Sequence, residues 1–190
     1  MYRCLIANRG EIAVRIIRAC RELNIETVAI YAKGDETSLH VSLADQAICI
    51  GEANPLDSYL NIDRIISAAK VTESNAIHPG YGFLSESTNF AKAVEDNHIH
   101  FIGPSKTTME MMGDKITARQ TVKQAGVPVI PGSNDAVQSV DEIKLLAKEI
   151  GFPVVLKAAS GGGGKGIRIV KEASQLDQAL KEAKSEGQKY

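Results

Sequence analysis

Leu5-Ile6-Ala7-Asn8-Arg9-Gly10-Glu11-Ile12-Ala13-Val14-Arg15-Ile16-Ile17-Arg18-Ala19-Cys20-Arg21-Glu22-Leu23 changes its period within a few residues. It opens on a short apolar run that reads as a buried strand. From Gly10 onward, Ile12, Ala13, Ile16, Ile17, Cys20 and Leu23 fall at helical spacing. The same alternation then repeats. Residues 27–31, 47–50, 76–77 and 99–102 read as strands, and 61–69 and 89–94 as helices. A chain that alternates strand and helix in this way builds a parallel sheet covered by helices on both faces.

After Gly103-Pro104 the pattern changes. Helical segments follow at 106–112 and 114–124, then an extended, turn-punctuated stretch at 127–132. A helix at 141–150 points Ile143, Leu146, Ala147 and Ile150 inward. Strands at 153–157 and 167–170 and a helix at 174–185 complete the chain. The domain break falls between Pro104 and Asp114, giving domains 1–113 and 114–190.

The 190 residues suit two small domains or one large one. With 44% hydrophobic and 24% charged residues the composition is that of a folded soluble chain, not a disordered one. No apolar run reaches the ~18 residues of a membrane span. The net charge of −1 and an aromatic content of 5% offer neither a basic surface nor a stacking platform, so no nucleic-acid partner is expected. Cys4, Cys20 and Cys49 form no paired motif and read as three buried thiols in a reducing, cytoplasmic compartment. His40, His98 and His100 have no metal-ligand spacing and read as surface or half-buried side chains; no metal site is expected.

In an open α/β sheet, ligands bind outside the carboxyl ends of the strands. Three loops leave those ends: Asn8-Arg9-Gly10, His78-Pro79-Gly80-Tyr81-Gly82 and Gly103-Pro104-Ser105. The first lacks the glycines of a dinucleotide fingerprint and places a bulky arginine where a pyrophosphate needs close backbone approach. The second reads either as a tight turn with a structural histidine or as a rigid pocket wall.

Ser160-Gly161-Gly162-Gly163-Gly164-Lys165-Gly166 is the most informative loop. It fails the Walker A pattern, because Gly166 rather than Ser or Thr follows Lys165. It joins strand to strand, not strand to helix, and so reads as a hairpin flap whose backbone N–H groups can close over phosphates, as kinase glycine loops do. Five glycines within 161–166 carry an entropic cost that phosphate binding would explain. Lys157, in the apolar run Val154-Val155-Leu156, reads as a buried lysine in want of an anionic partner. Lys115 opens a helix behind the N-cap candidate Asp114. A cation there opposes the helix dipole, which fits either a ligand phosphate or plain solvation.

Ile6-Ala7-Asn8-Arg9-Gly10-Glu11-Ile12-Ala13, His78-Pro79-Gly80-Tyr81-Gly82-Phe83-Leu84-Ser85-Glu86, Phe101-Ile102-Gly103-Pro104, Met112-Gly113-Asp114-Lys115 and the block from Lys157 to Gly166 together resemble biotin carboxylase, in family order along the whole chain. The resemblance implies an α/β fold: a preATP-grasp, Rossmann-like parallel-sheet domain, then the start of an ATP-grasp domain with linker helices and a partial lid. It implies a ligase that uses ATP and Mg2+ to activate bicarbonate as carboxyphosphate and carboxylates biotin on a carrier protein. A carboxyltransferase component then completes an acetyl-CoA, propionyl-CoA, methylcrotonyl-CoA or pyruvate carboxylase. A bacterial acetyl-CoA carboxylase of fatty-acid synthesis is the nearest in feel.

By position, Lys115, Lys157, Gly163 and Gly164 match the family's ATP-binding residues. Tyr81 and Gly82 match a segment on the biotin side of the cleft. The metal ligands, bicarbonate-binding groups and catalytic residues are expected downstream of residue 190, so the chain reads as an N-terminal fragment, inactive alone. The exposed stripe Glu11, Arg15, Arg18, Glu22 fits either a solvated helix face or part of the homodimer interface common in the family. The competing readings are another ATP-grasp ligase, against which the block 78–86 speaks, and a truncated, non-catalytic nucleotide-binding or dimerisation module.

Overall fold

Alternating side chains on a short apolar strand set the architecture. On β1 (Arg3–Ile6), Cys4 and Ile6 point to one face of a sheet and Leu5 to the other, and all three are fully buried. The computed structural model describes residues 2–133, 135, 137, 139–157 and 167–187. It divides into two compact units, Met1–Gly113 and Asp114–Tyr190.

In the first unit, β1 is followed by α1 (Gly10–Glu22), β2 (Glu26–Ala32), α2 (Leu39–Leu43), β3 (Gln46–Gly51), α3 (Ile62–Val71), β4 (Ala76–His78), α4 (Thr88–Asp96), β5 (His100–Phe101) and α5 (Lys106–Gly113). The five strands form one parallel sheet in the order β3-β2-β1-β4-β5. Helices cover both faces. Cys4 and Ile6 pack with Ala13, Ile16, Ile17 and Cys20 of α1. Leu5, Val28 and Ile30 pack with Ile65 and Ile66 of α3, Phe90 and Val94 of α4 and Met109 of α5. The strand order reverses between β1 and β4, which makes their carboxyl ends the topological switch point.

The second unit holds α6 (Lys115–Gln124), α7 (Val140–Ile150), β6 (Val154–Lys157), β7 (Ile167–Val170) and α8 (Leu176–Gly187). β6 and β7 pair antiparallel, Lys157 opposite Ile167. Its core gathers Ile143 and Ala147 of α7, Val170 of β7, and Leu176 and Ala179 of α8. Side-chain caps fix the helix starts: Asn61 on α3, Ser87 on α4, Asp114 on α6 and Ser139 on α7 each accept a backbone N–H from the first turn.

Four expectations change. Cys49 is exposed, because β3 is an edge strand and only Ile50 of it is buried. His40 is buried, at 1% exposure, because α2 folds it back under β2. Ile150 is 37% exposed at the last turn of α7, where the buried stripe stops at Ala147. Lys157 is exposed, because among the described residues the hairpin is covered on one face only: Val155, Lys157, Ile167 and Ile169 lie on its open face, Val154, Leu156, Arg168 and Val170 on the covered one. His98 and His100 are exposed. No helix among the described residues is long and apolar enough to cross a membrane.

Candidate functional site

The loops after β1 and β4 are joined at the switch point by one buried side chain. Asn8, 3% exposed, donates through Nδ2 to the carbonyls of Pro79 at 2.8 Å and Tyr81 at 2.9 Å. Its Oδ1 accepts the Arg9 N–H at 2.9 Å, so the buried amide is well satisfied. This close approach explains Gly80: at φ +66°, a Cβ there would stand 2.7 Å from Ile12 Cγ2 and 2.8 Å from Asn8 Nδ2. The Gly80 N–H donates to His78 Nδ1 at 3.0 Å. Burial pulls the His78 pKa below its usual value, so the ring that accepts this bond is neutral near pH 7. The turn His78 to Gly82 is therefore built rigidly and held to β1.

Tyr81 and Gly82 stand at the open side of this turn. Tyr81 is 65% exposed, and its hydroxyl donates to Glu11 Oε1 at 3.0 Å, which raises the phenol's pKa. Gly82, at φ +70°, has nothing within 4 Å of where a Cβ would be.

A second group of side chains, which the periodicities of the sequence do not reveal, closes around the far end of the turn. Arg9 pairs with Asp35 at 3.3 Å and lies over the rings of Tyr59 and Phe83, 5.4 and 5.9 Å from their centroids. The two rings stack at 5.3 Å with planes 12° apart. The only hint in the sequence is the concentration of Arg, Asp and Tyr in loops that leave strand ends.

In the second unit, Lys157 shares the open hairpin face with three apolar side chains, Val155 50%, Ile167 39% and Ile169 67% exposed. Asp114 caps α6, accepting the Thr117 N–H at 2.7 Å, which places Lys115 at the first helical position. Gly163 and Gly164, with the rest of the loop 158–166, lie outside the described residues, as does the side chain of Lys115. Among the described residues no three His, Cys, Asp or Glu side chains come together as a metal site. On α1, Glu11, Arg15, Arg18 and Glu22 are all exposed and share one stripe. Beside it is an open depression of about 530 Å³, lined in part by Arg15, Arg18 and His40.

Comparison with known proteins places both units. Residues 1–109 match the family model described as biotin carboxylase, N-terminal domain, and residues 114–189 match the one described as carbamoyl-phosphate synthase L chain, ATP binding domain. A relative named biotin carboxylase 1, from Bacillus subtilis, is 55% identical over 94% of this chain and 40% of its own length. A crystal structure of a biotin carboxylase β,γ-ATP complex from Campylobacter jejuni matches with a TM-score of 0.91 and 49% identity, over 98% of this chain and 42% of that one. The biotin carboxylase domain dimer of a Hydrogenobacter thermophilus 2-oxoglutarate carboxylase, solved with MgADP, ADP and bicarbonate, matches at TM-score 0.87 and 51% identity, over 98% and 41%. The chain thus spans about 40% of the length of these three relatives.

Proposed function

Since this chain belongs to the biotin carboxylase family, through its N-terminal domain, we propose that it is the amino-terminal part of an ATP-dependent ligase that carboxylates biotin. The reaction begins with phosphoryl transfer from ATP to bicarbonate. The carboxyphosphate formed delivers CO2 to N1 of biotin held on a carrier protein, and a carboxyltransferase component passes it on. The observation that carries the reading is the order of the two domain matches in one chain, a biotin carboxylase amino-terminal domain followed directly by an ATP-binding domain.

In this reading the first unit supplies the Tyr81–Gly82 turn to the biotin side of the cleft. The second supplies Lys115, Lys157 and the backbone of Gly163 and Gly164 to ATP. An apolar hairpin face with one lysine at its end suits a ligand that is part apolar ring and part phosphate. Mg2+ would neutralise charge on the transferred phosphoryl group; in this reading its ligands lie in the part of the relatives' length that this chain does not span. The catalytic groups belong there too, and the chain alone is inactive. We place the parent in acetyl-CoA carboxylation for fatty-acid synthesis, in the cytoplasm, where three free thiols are at home. The likeness to a 2-oxoglutarate carboxylase domain leaves the choice of acceptor to the carboxyltransferase component. The exposed α1 stripe, Glu11, Arg15, Arg18 and Glu22, is offered as part of a homodimer interface.

Bicarbonate-dependent ADP release, measured with and without free biotin, tests this. The parent-length polypeptide is expected to show biotin-stimulated release and the 190-residue chain none. Biotin-stimulated turnover by this chain alone would overturn the placement of the catalytic groups. Turnover by the parent that ignores biotin would overturn the function and favour another ATP-grasp ligase.

A further inference from the structure

Arg9, Asp35, Tyr59 and Phe83 come from four separate segments: the loops after β1, β2 and β4, and the connection between β3 and α3. Tyr59 is the hub. It is 1% exposed, yet its hydroxyl is used in both directions: it accepts the Ala32 N–H at 3.0 Å and donates to Asp35 Oδ2 at 2.6 Å. The ring cannot tilt without breaking one of these bonds. Phe83, stacked on that ring, holds a φ of +42°, an uncommon conformation for a bulky side chain that persists only where its surroundings fix it. Arg9 closes the set, lying over both rings and pairing with Asp35.

An ordinary core contact would not need this chemistry. Phe90 and Phe101, inside the sheet–helix core, simply meet edge to face at 5.9 Å within the hydrophobic cluster. The Tyr59 group instead sits at the carboxyl end of the sheet and combines an ion pair, a short phenol–carboxylate bond, a cation over two rings and a strained backbone. What these hold in common is the far end of the turn that begins at His78. Asn8 and Gly80 fix its near end. Between the two anchors lie Tyr81, mostly exposed, and Gly82, which has open space around it.

We propose that Asp35 and Tyr59 are positioning residues for the Tyr81–Gly82 turn: through Arg9 and the stacked ring of Phe83 they hold it in the single conformation that faces biotin. The proposal rests on the assignment of that turn to the biotin side of the cleft. The effect of Asp35 and Tyr59 passes through Phe83, so a ring at position 83 should matter more than its bulk.

The test uses Asp35→Asn, Phe83→Leu and Phe83→Tyr, at positions that are not fully buried, with two readouts. In this chain, hydrogen exchange of the Ser85 amide, which donates to Gly82 O, reports on the turn, and the amides of Leu5 and Val28 report on the sheet. Exchange at Ser85 should rise about tenfold in Asp35→Asn and Phe83→Leu, the size that coupling within an aromatic pair implies, with the sheet unchanged and with Phe83→Tyr close to the parent chain. In the parent-length enzyme the same two variants should raise KM for free biotin about fivefold or more, leave KM for ATP alone and keep kcat at saturating biotin, the signature of lost substrate positioning. Unchanged exchange at Ser85 overturns the clamp, whatever the kinetics. Faster exchange with an unchanged biotin KM overturns the assignment of the turn to biotin. Phe83→Tyr behaving like Phe83→Leu overturns the role of the ring stack.

Discussion

Gly80 and Gly82 sit two residues apart in one turn, share a left-handed backbone, and are held there for different reasons. At Gly82, φ is +70° and the space is open, so only backbone strain opposes a side chain. At Gly80 the strain is similar, φ +66°, but a methyl group would press on Ile12 and on the Asn8 amide that joins the turn to β1. Gly82→Ala should therefore destabilise the first unit by about 1–2 kcal/mol, the penalty of a left-handed L-residue. Gly80→Ala should lose about 1–3 kcal/mol more, because the overpacking falls on a well-filled site. Urea midpoints for the two variants measure the difference. Equal losses would mean that the Asn8 contact relaxes freely and that the turn is not rigidly held. Asn8 itself shows how a polar residue earns a place in the interior: its amide is well bonded, so its burial specifies a geometry instead of carrying a desolvation penalty.

At the scale of elements, the strands and most helices of the first unit were legible because period-2 and period-3.6 apolar patterns are local properties of the chain. The pair β2–α2 was only half legible. β2 stands out as a β-branched run, but α2 is five residues long, too short to show a period, and the burial of His40 follows from it. Lys157 misled for a related reason. Val154-Val155-Leu156 is apolar on both faces, which reads as a strand buried on both sides, yet only one face of the hairpin is covered among the described residues. The Arg9–Asp35–Tyr59–Phe83 group was illegible, since no pattern within any one segment announces a contact among four.

The burial of His40 has a consequence for acid stability. Its Nε2 donates to Ile30 O at 3.2 Å, while its Nδ1 is buried with no hydrogen-bond partner among the described residues, so a proton added at Nδ1 would be a poorly solvated charge. Desolvation accordingly lowers the His40 pKa, and that of His78 as well. A folded-state pKa below the unfolded value of about 6.5 means the unfolded chain binds more protons in between. The stabilisation is fully present above about pH 6.5 and is lost as the pH falls through the lowered folded values. Asp45 and Glu36, also lowered, add their own loss only below the carboxylate range near 4. Stability of the first unit to urea should thus weaken as the pH falls below about 6.5, and His40→Gln should flatten part of that slope, leaving the share of His78. A slope identical in His40→Gln and the parent chain would remove His40 as a source.

At the scale of the whole molecule, the hydrophobic clusters follow the division into units. The two that sandwich the five-stranded sheet draw every member from residues up to Met109, and the third draws its members from Val137 to Leu180. The first unit thus has a two-sided core of its own on a chain length that ordinarily folds independently. Among its described residues, the second has five buried apolar residues in its cluster, a two-stranded sheet, and an open hairpin face bearing Val155, Ile167 and Ile169. Single cores in chains of under about 80 residues rarely contribute more than 3–5 kcal/mol, and a two-stranded sheet adds little by itself. Unfolding of this chain should therefore run in two steps, the second unit first. Val170→Ala, which removes a fully buried side chain from β7, should lower the first midpoint and leave the second in place. Ile17→Ala on α1 should do the reverse, each by about 2–4 kcal/mol for the unit it touches. Far-UV circular dichroism in urea, with hydrogen exchange resolved at β1 and β7, separates the steps. One shared transition moved by both variants would show that the units stabilise each other strongly enough to unfold as one.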